Sequence, residues 1–272
     1  MRLSALLVLT AFSLSAQDAR EIVRKSVELD QVNWARMKDY TWMAREVERR
    51  LDSSGRVQSQ SSRKWETVIL AGEPHRRVLE RDGKPLSPQD AQKQQKKLDD
   101  TVQKLQRETP EQRQRRVAEY EKNREKDREF LREIPDAYDF QLAGDDTIDG
   151  HAVWVIAATP RPDYRPKRRD ARALLKIRGK IWIDKVEYQW VRLEAETTET
   201  ISYGLFLARL HPGAKLYFEQ TRVNDEVWLP KLERMSGSGR LGLLKKLALE
   251  QELTWSNYRK FQVDSKVVAA GQ

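Results

Sequence analysis

The chain contains no cysteine among its 272 residues. Disulfides, thiol nucleophiles, thiolate metal centres and a lipid anchor on an N-terminal cysteine are therefore excluded. Histidine is nearly as scarce, at three residues. His75 follows Pro74, His151 follows Gly150 and His211 precedes Pro212, so each sits beside a turn former and none has a partner at metal-ligand spacing. Neither His-Glu-x-x-His nor Gly-x-Ser-x-Gly occurs. Long apolar runs are missing after the N-terminus: Ala152 to Ala158 and Leu241 to Leu249 are strand-sized or broken by lysines, where a spanning helix needs about 20 apolar residues. Carboxylates abound, but among helix charges, where solvated pairing is the default. No catalytic residue, metal ligand or cofactor is nominated, and the chain is expected not to be an enzyme.

The N-terminus has the layout of a secretory leader. Met1-Arg2 supplies a positive start, Leu3 to Leu14 an apolar stretch, and Ser15-Ala16 a small-residue cleavage site. The expected division is a leader over 1–16 and a single mature domain over 17–272, in the periplasm or otherwise exported. The formal net charge is +9. In the cytosol such a balance points to nucleic acid. After export, anionic lipid head groups or acidic polymers are the matching partners, with peripheral membrane contact, and no nucleic acid is expected.

Asp18 to Lys38 has helical spacing of Ile22, Val23, Val27, Val32, Trp34 and Met37. From Tyr40 the pattern is that of strands. One runs to a turn at Asp52-Ser53-Ser54-Gly55 and is answered by Arg56 to Leu70, and a shorter one covers His75 to Glu80. Residues 87–133 differ in kind, being almost wholly Gln, Lys, Arg, Glu and Asp. Ser87-Pro88 and Thr109-Pro110 each read as an N-cap followed by proline at the first helical position, and Thr109 with Gln112 fits a capping box. The expectation there is a charged helical insertion, a solvated hairpin held by a thin seam of Leu98, Val102 and Leu105 and by ion pairs.

After Pro135 the strands resume: Tyr138 to Leu142, a turn over Gly144 to Gly150, His151 to Thr159, Gly179 to Asp184, Tyr188 to Thr198, Ala214 to Val223, Glu226 to Met235 and Leu247 to Phe261. Many strands without helices between them imply an antiparallel sheet. Runs such as Trp154-Val155-Ile156 and Ile181-Trp182-Ile183 are apolar on both faces, so that sheet is covered or strongly curved. Gly237-Ser238-Gly239-Arg240-Leu241-Gly242 matches the dinucleotide fingerprint, but no βαβ unit follows, and a glycine-rich turn between strands is expected. Asp145 to Gly150 begins like a calcium loop, yet its twelfth position is Ile156, so a hairpin turn is expected.

Two of these segments carry a resemblance. Gly144-Asp145-Asp146-Thr147-Ile148-Asp149-Gly150 leading into His151 to Pro160 resembles a hairpin of outer-membrane lipoprotein-sorting proteins. Gly179 to Asp184 with Tyr188 to Glu194 is similar to the signature that follows it, and Trp255 to Phe261 to the final strand. The resemblance implies an α+β fold, in which a curved antiparallel half-barrel sheet is covered by an N-terminal helix and, here, by the long charged helical insertion. It also implies an apolar cavity suited to acyl chains. A lipid or acylated lipoprotein is the implied ligand, with envelope proteins as further partners.

Most tryptophans fall in strands, where core is the default role. On the implied fold the expected cavity lining is Trp42, Trp65, Trp154, Ile156, Ile181, Ile183, Leu193, Phe218 and Trp228. Arg165, Arg168 and Arg169, in the Pro- and Arg-rich loop 160–169, are the expected contacts to an anionic head group. Two readings follow: a periplasmic carrier for lipid or lipoprotein acyl chains, or an envelope sensor or scaffold working through protein contacts on the same fold.

Overall fold

The computed structural model describes residues 4–203, 208–241 and 245–260. Helix α1 (Ser4–Met37) leads into β1 (Tyr40–Leu51), β2 (Val57–Leu70), β3 (Glu73–Arg81) and the short β4 (Lys84–Pro85). Helices α2 (Pro88–Gln106) and α3 (Pro110–Ala137) follow, then β5 (Tyr138–Ile148), β6 (His151–Pro160) and a 3-10 turn over Asp170–Lys176. The remainder is β7 (Ile177–Asp184), β8 (Trp190–Thr197), β9 (Ile201–Tyr203), β10 (Ala208–Leu210), β11 (Lys215–Val223), β12 (Val227–Leu241) and β13 (Lys245–Lys260).

These strands make one open, antiparallel sheet in the order β4-β3-β2-β1-β13-β12-β11-β8-β7-β6-β5, with β10 and β9 continuing beside β12. Tight turns set the register. Ala71-Gly72, Asp82-Gly83 and Asp149-Gly150 have positive φ at both residues, the geometry that matches the right-handed twist of the strands they join.

Alternation divides β6 and β7 between two cores. Ile156 and Ala158 with Ile181 and Ile183 pack with Phe140 beneath Ala19 and Val23 of α1 and Ile134 of α3. Val153 and Trp182 point the other way and meet Ile148, Val191 and Trp228. Both faces are therefore buried at this edge, as the doubly apolar runs predict.

The helix starts are as read. The Ser87 side chain accepts from the Asp90 amide, and Thr109 and Gln112 exchange both bonds of a capping box. Four expectations need correction. The charged insertion is not a self-paired hairpin: α2 lies against β3, while α3 runs along α1 and reaches β5 and the 3-10 turn. Pro135 does not end α3, which continues to Ala137. Gly144 to Ile148 is strand, because a bulge between Leu142 and Gly144 restores pairing, and the turn shrinks to Asp149-Gly150. Gly237 to Arg240 is likewise strand. Its glycines serve close packing: a Cβ on Gly237 would lie 2.7 Å from Ala214 Cβ, and one on Gly239 would lie 2.2 Å from the Arg209 carbonyl oxygen. The leader expected over 1–16 lies outside the residues whose side chains are described, and Phe261 lies outside the described residues altogether.

Candidate functional site

Helix cover is uneven. α1 crosses from β5 to the first residues of β12, and α3 follows it. The far ends of β8, β11, β12 and β13 carry apolar side chains on the same face. Register fixes this placement, because directly paired residues share a face. Ile177 alternates with Ile181 on β7 and pairs with Thr197. Ala195 pairs with Leu216, and Leu216 with Met235. Gly237 pairs with Leu249, and Gly239 with Leu247. Together with Leu210 they line an open groove of about 470 Å³, within the roughly 300–1,000 Å³ of small-molecule sites. Met235 is 38 % exposed in it. Gly237 and Gly239 keep its floor low.

Glu233 borders the groove on the same face, paired with Phe218 and Leu253. Burial raises its carboxyl pKa, and among the described residues no ion pair or hydrogen bond holds it. A wider trough of about 810 Å³ crosses β6 to β13. Many of its lining residues are charged, among them the pairs Arg178 with Glu196 and Arg234 with Glu252, so it offers less to an apolar ligand.

The residues expected to line a cavity are placed otherwise. Ile156, Ile181 and Ile183 are core beneath α1 and α3, with Trp154 and Leu193 half-buried against them. Trp65 is buried under Arg76. Trp228 lies in the opposite-face cluster and donates its indole N–H to Glu187. Trp42 leans on Tyr258, and Phe218 is half-buried beside Glu233. None of the nine lines the groove or the trough. Of the groove residues, Leu247 and Leu249 alternate along one strand in the sequence.

The basic loop is ordered rather than loose. The buried Glu133 carboxylate of α3 accepts from the Lys167 and Arg168 amides and from the Tyr164 hydroxyl, and it raises the Tyr164 pKa, second to burial. Arg168 is ion-paired with Glu129 and Asp170, whereas Arg165 and Arg169 are exposed. A second electrostatic seam joins α1 to α3. Trp34 is covered by Lys38, Arg124 and Arg128, Lys38 pairs with Glu121 at 2.8 Å, and burial raises the Asp30 pKa against the opposing pull of Arg124 and Arg128. Among the described residues no group of acidic or histidine side chains is arranged to hold a metal, and no helix is long and apolar enough to cross a membrane.

No known family profile matches the chain, and no curated protein matches it. Several solved structures align with it over most of its length, at low similarity. A DUF1329 family protein from Desulfovibrio piger is 13 % identical, with a TM-score of 0.34 over 93 % of this chain and 95 % of its own. A Vibrio parahaemolyticus domain described as an outer membrane lipoprotein-sorting protein is 14 % identical, at 0.34 over 90 % and 95 %. A chain of the Pseudomonas aeruginosa MucA/MucB complex is 12 % identical, at 0.24 over 89 % and 99 %. The lipoprotein-sorting group that the Gly144–Pro160 and Gly179–Glu194 segments resemble is thus represented among them.

Proposed function

We propose that the protein is an exported carrier that binds lipid or lipoprotein acyl chains along the groove between Ile177 and Leu249. The observation that carries this reading is that, among the described residues, the aliphatic ends of β8, β11, β12 and β13 form an open groove beside a part of the sheet that α1 and α3 cover. Each methylene moved from water to such a wall contributes about 0.8 kcal/mol. Ordering a flexible ligand and losing its free motion offset part of that gain. Net affinity is then moderate, as a carrier that must also release its cargo requires.

The role needs no acid–base pair, and the groove offers none. The role of 1–16 is that of a cleaved leader, checked by the N-terminal mass of the protein recovered from the envelope. Arg165 and Arg169 flank the same end of the sheet as the groove, since their loop joins the end of β6 to the start of β7.

The test is native mass spectrometry of protein purified gently from an envelope extract. The carrier reading expects an added mass that leaves on organic extraction and returns with phospholipid or an acylated peptide. Clean protein that takes up neither refutes it. That outcome favours the scaffold reading, for which α2, a helix of 19 residues with none buried, is the natural contact surface.

A further inference from the structure

Glu233 stands at the inner end of the groove. Along β12 one face carries Glu233, Met235, Gly237 and Gly239 in alternation, a rise of about 20 Å at roughly 3.4 Å per residue. The last three line the groove, with Leu216 on the β11 side and Leu247 and Leu249 on the β13 side. A chain laid along this track meets aliphatic and glycine surface for its length and a carboxyl where the track ends.

That carboxyl has no donor of its own among the described residues. Its cross-strand neighbours, Phe218 and Leu253, offer only apolar side chains. The nearby cations are committed elsewhere: Lys231 to Asp149 and Glu219, each at 2.8 Å, Arg63 to Glu46 at 2.6 Å, and Arg234 to Glu252 on the opposite face. The Gln251 amide, opposite Met235, donates to Glu46. Two residues along β11 from Phe218, the buried Oε1 of Gln220 is a second acceptor with no partner among the described residues. Burial raises the Glu233 pKa, and no neighbouring cation offsets the rise. Acceptors left in this state cost stability until a donor reaches them. In a chain of formal net charge +9, a carboxyl left unpaired beside an apolar track is a feature that packing does not require.

We propose that Glu233 anchors the head group of the groove's ligand, an acyl or alkyl chain headed by a nitrogen donor rather than by a carboxylate. The inference rests on the acyl-chain reading of the groove and names the head-group chemistry which that reading leaves open. An N–H of an amine or amide donates to the Glu233 carboxylate, and charge-assisted bonds of this kind are about twice as strong as neutral ones. A carboxylate head at the same place meets Glu233 as a like charge and is disfavoured. The long-range field of a basic protein draws anions and so favours the opposite order. A preference for the amine therefore isolates the local contact.

The experiment is calorimetric titration of the full chain at neutral pH with decylamine and with decanoate, each kept below the concentration at which it forms micelles. Decylamine is expected to bind at least tenfold more tightly, a difference of about 1.4 kcal/mol. Glu233→Gln keeps the side-chain volume and should abolish that preference. Glu194→Gln removes the same charge from an exposed site on the opposite face, where Glu194 pairs with Lys180 and Tyr217, and should keep it. The proposal is overturned if decanoate binds as tightly as decylamine, if Glu233→Gln retains the preference, or if Glu194→Gln loses it. Those outcomes leave the groove reading standing, because both chains still bind. If neither chain binds, the groove reading itself fails, and the anchor falls with it.

Discussion

Asn33 fastens α1 to the sheet, and replacing it with alanine measures how much that attachment matters. β13 begins pairing with β12 at Leu232, so the first residues of β12 have no strand on that side. The Asn33 side chain takes the place of the missing strand. Its amide nitrogen donates to the Trp228 carbonyl at 2.8 Å, and its oxygen accepts from the Trp228 amide at 2.7 Å, both bonds being buried. Alanine removes both partners at once and strands two backbone groups away from water. Each such group costs about 1–3 kcal/mol, so a loss of roughly 2–5 kcal/mol is expected. In a chain of this size a loss of about 3 kcal/mol lowers Tm by roughly 6–12 °C. Urea unfolding gives the free energy, and hydrogen exchange at the Trp228 amide gives the site. Asn33→Asp adds a control for the mechanism. It keeps the acceptor but sets a buried carboxylate against the Trp228 carbonyl, which favours the protonated acid and raises its folded pKa. Its stability should fall as pH rises through the carboxylate range. A loss below about 1 kcal/mol for Asn33→Ala, with unchanged exchange at Trp228, would refute the reasoning.

Other perturbations probe the groove and its border. Glu233 has a carboxyl pKa raised by burial, so the folded state holds its proton longer than the unfolded chain does. Its contribution is undiminished below the ordinary carboxylate range and turns unfavourable as pH climbs through that range to the raised folded value. Glu233→Gln should therefore be more stable than the parent at neutral pH and equal to it in acid, and equal stability at both sinks the assignment. Gly237→Val drives a branched side chain toward Ala214, already 2.7 Å from the position of an added Cβ, at a cost of about 1–3 kcal/mol. An unchanged urea midpoint would show that the strands can part there. Leu249→Arg places a cation on the groove wall and should reduce fatty-acid uptake at least tenfold, about 1.4 kcal/mol, with little loss of stability, and full uptake would locate the ligand elsewhere.

Much of the fold was legible because local chemistry dictates it. Ser87-Pro88 and Thr109-Pro110 mark helix starts through caps that form as written, and Asp82-Gly83 marks a turn because few other pairs tolerate two positive φ values. What failed was long-range. Gly144 and the Gly237–Gly239 stretch look like turns in sequence, since glycine there signals flexibility or close approach without saying which. Only the facing Ala214 and the Arg209 carbonyl decide for the latter. The residues expected to line a cavity sit elsewhere for a related reason. Ile156, Ile181 and Ile183 are strongly apolar, and such residues go where a helix can cover them, here α1 and α3. The groove is built from Leu216, Met235 and Leu249 beside small residues, and which strand ends stay uncovered depends on where α1 and α3 come to rest.

The path of α1 decides which strands it covers. Eleven strands follow one another along the sheet, and at about 4.8 Å each they span roughly 50 Å. α1 crosses from β5 to the first residues of β12, where Asn33 bonds Trp228, while α2 is spent at the β3 edge. Among the described residues, the opposite ends of β11 to β13 form the open groove. Had their exposed face been polar, the sheet would simply be one-sided there, as antiparallel sheets commonly are. Instead Leu216, Met235, Leu247 and Leu249 continue the apolar pattern of the covered half, while Glu233 and Gln251 on the same face bound it toward the centre. An apolar stripe hemmed by polar residues and backed by glycine is unfavourable in water and specific in shape, the combination expected where a ligand or partner completes a fold. The loop after β6, at the same end of the sheet, is tied to α3 through Glu133.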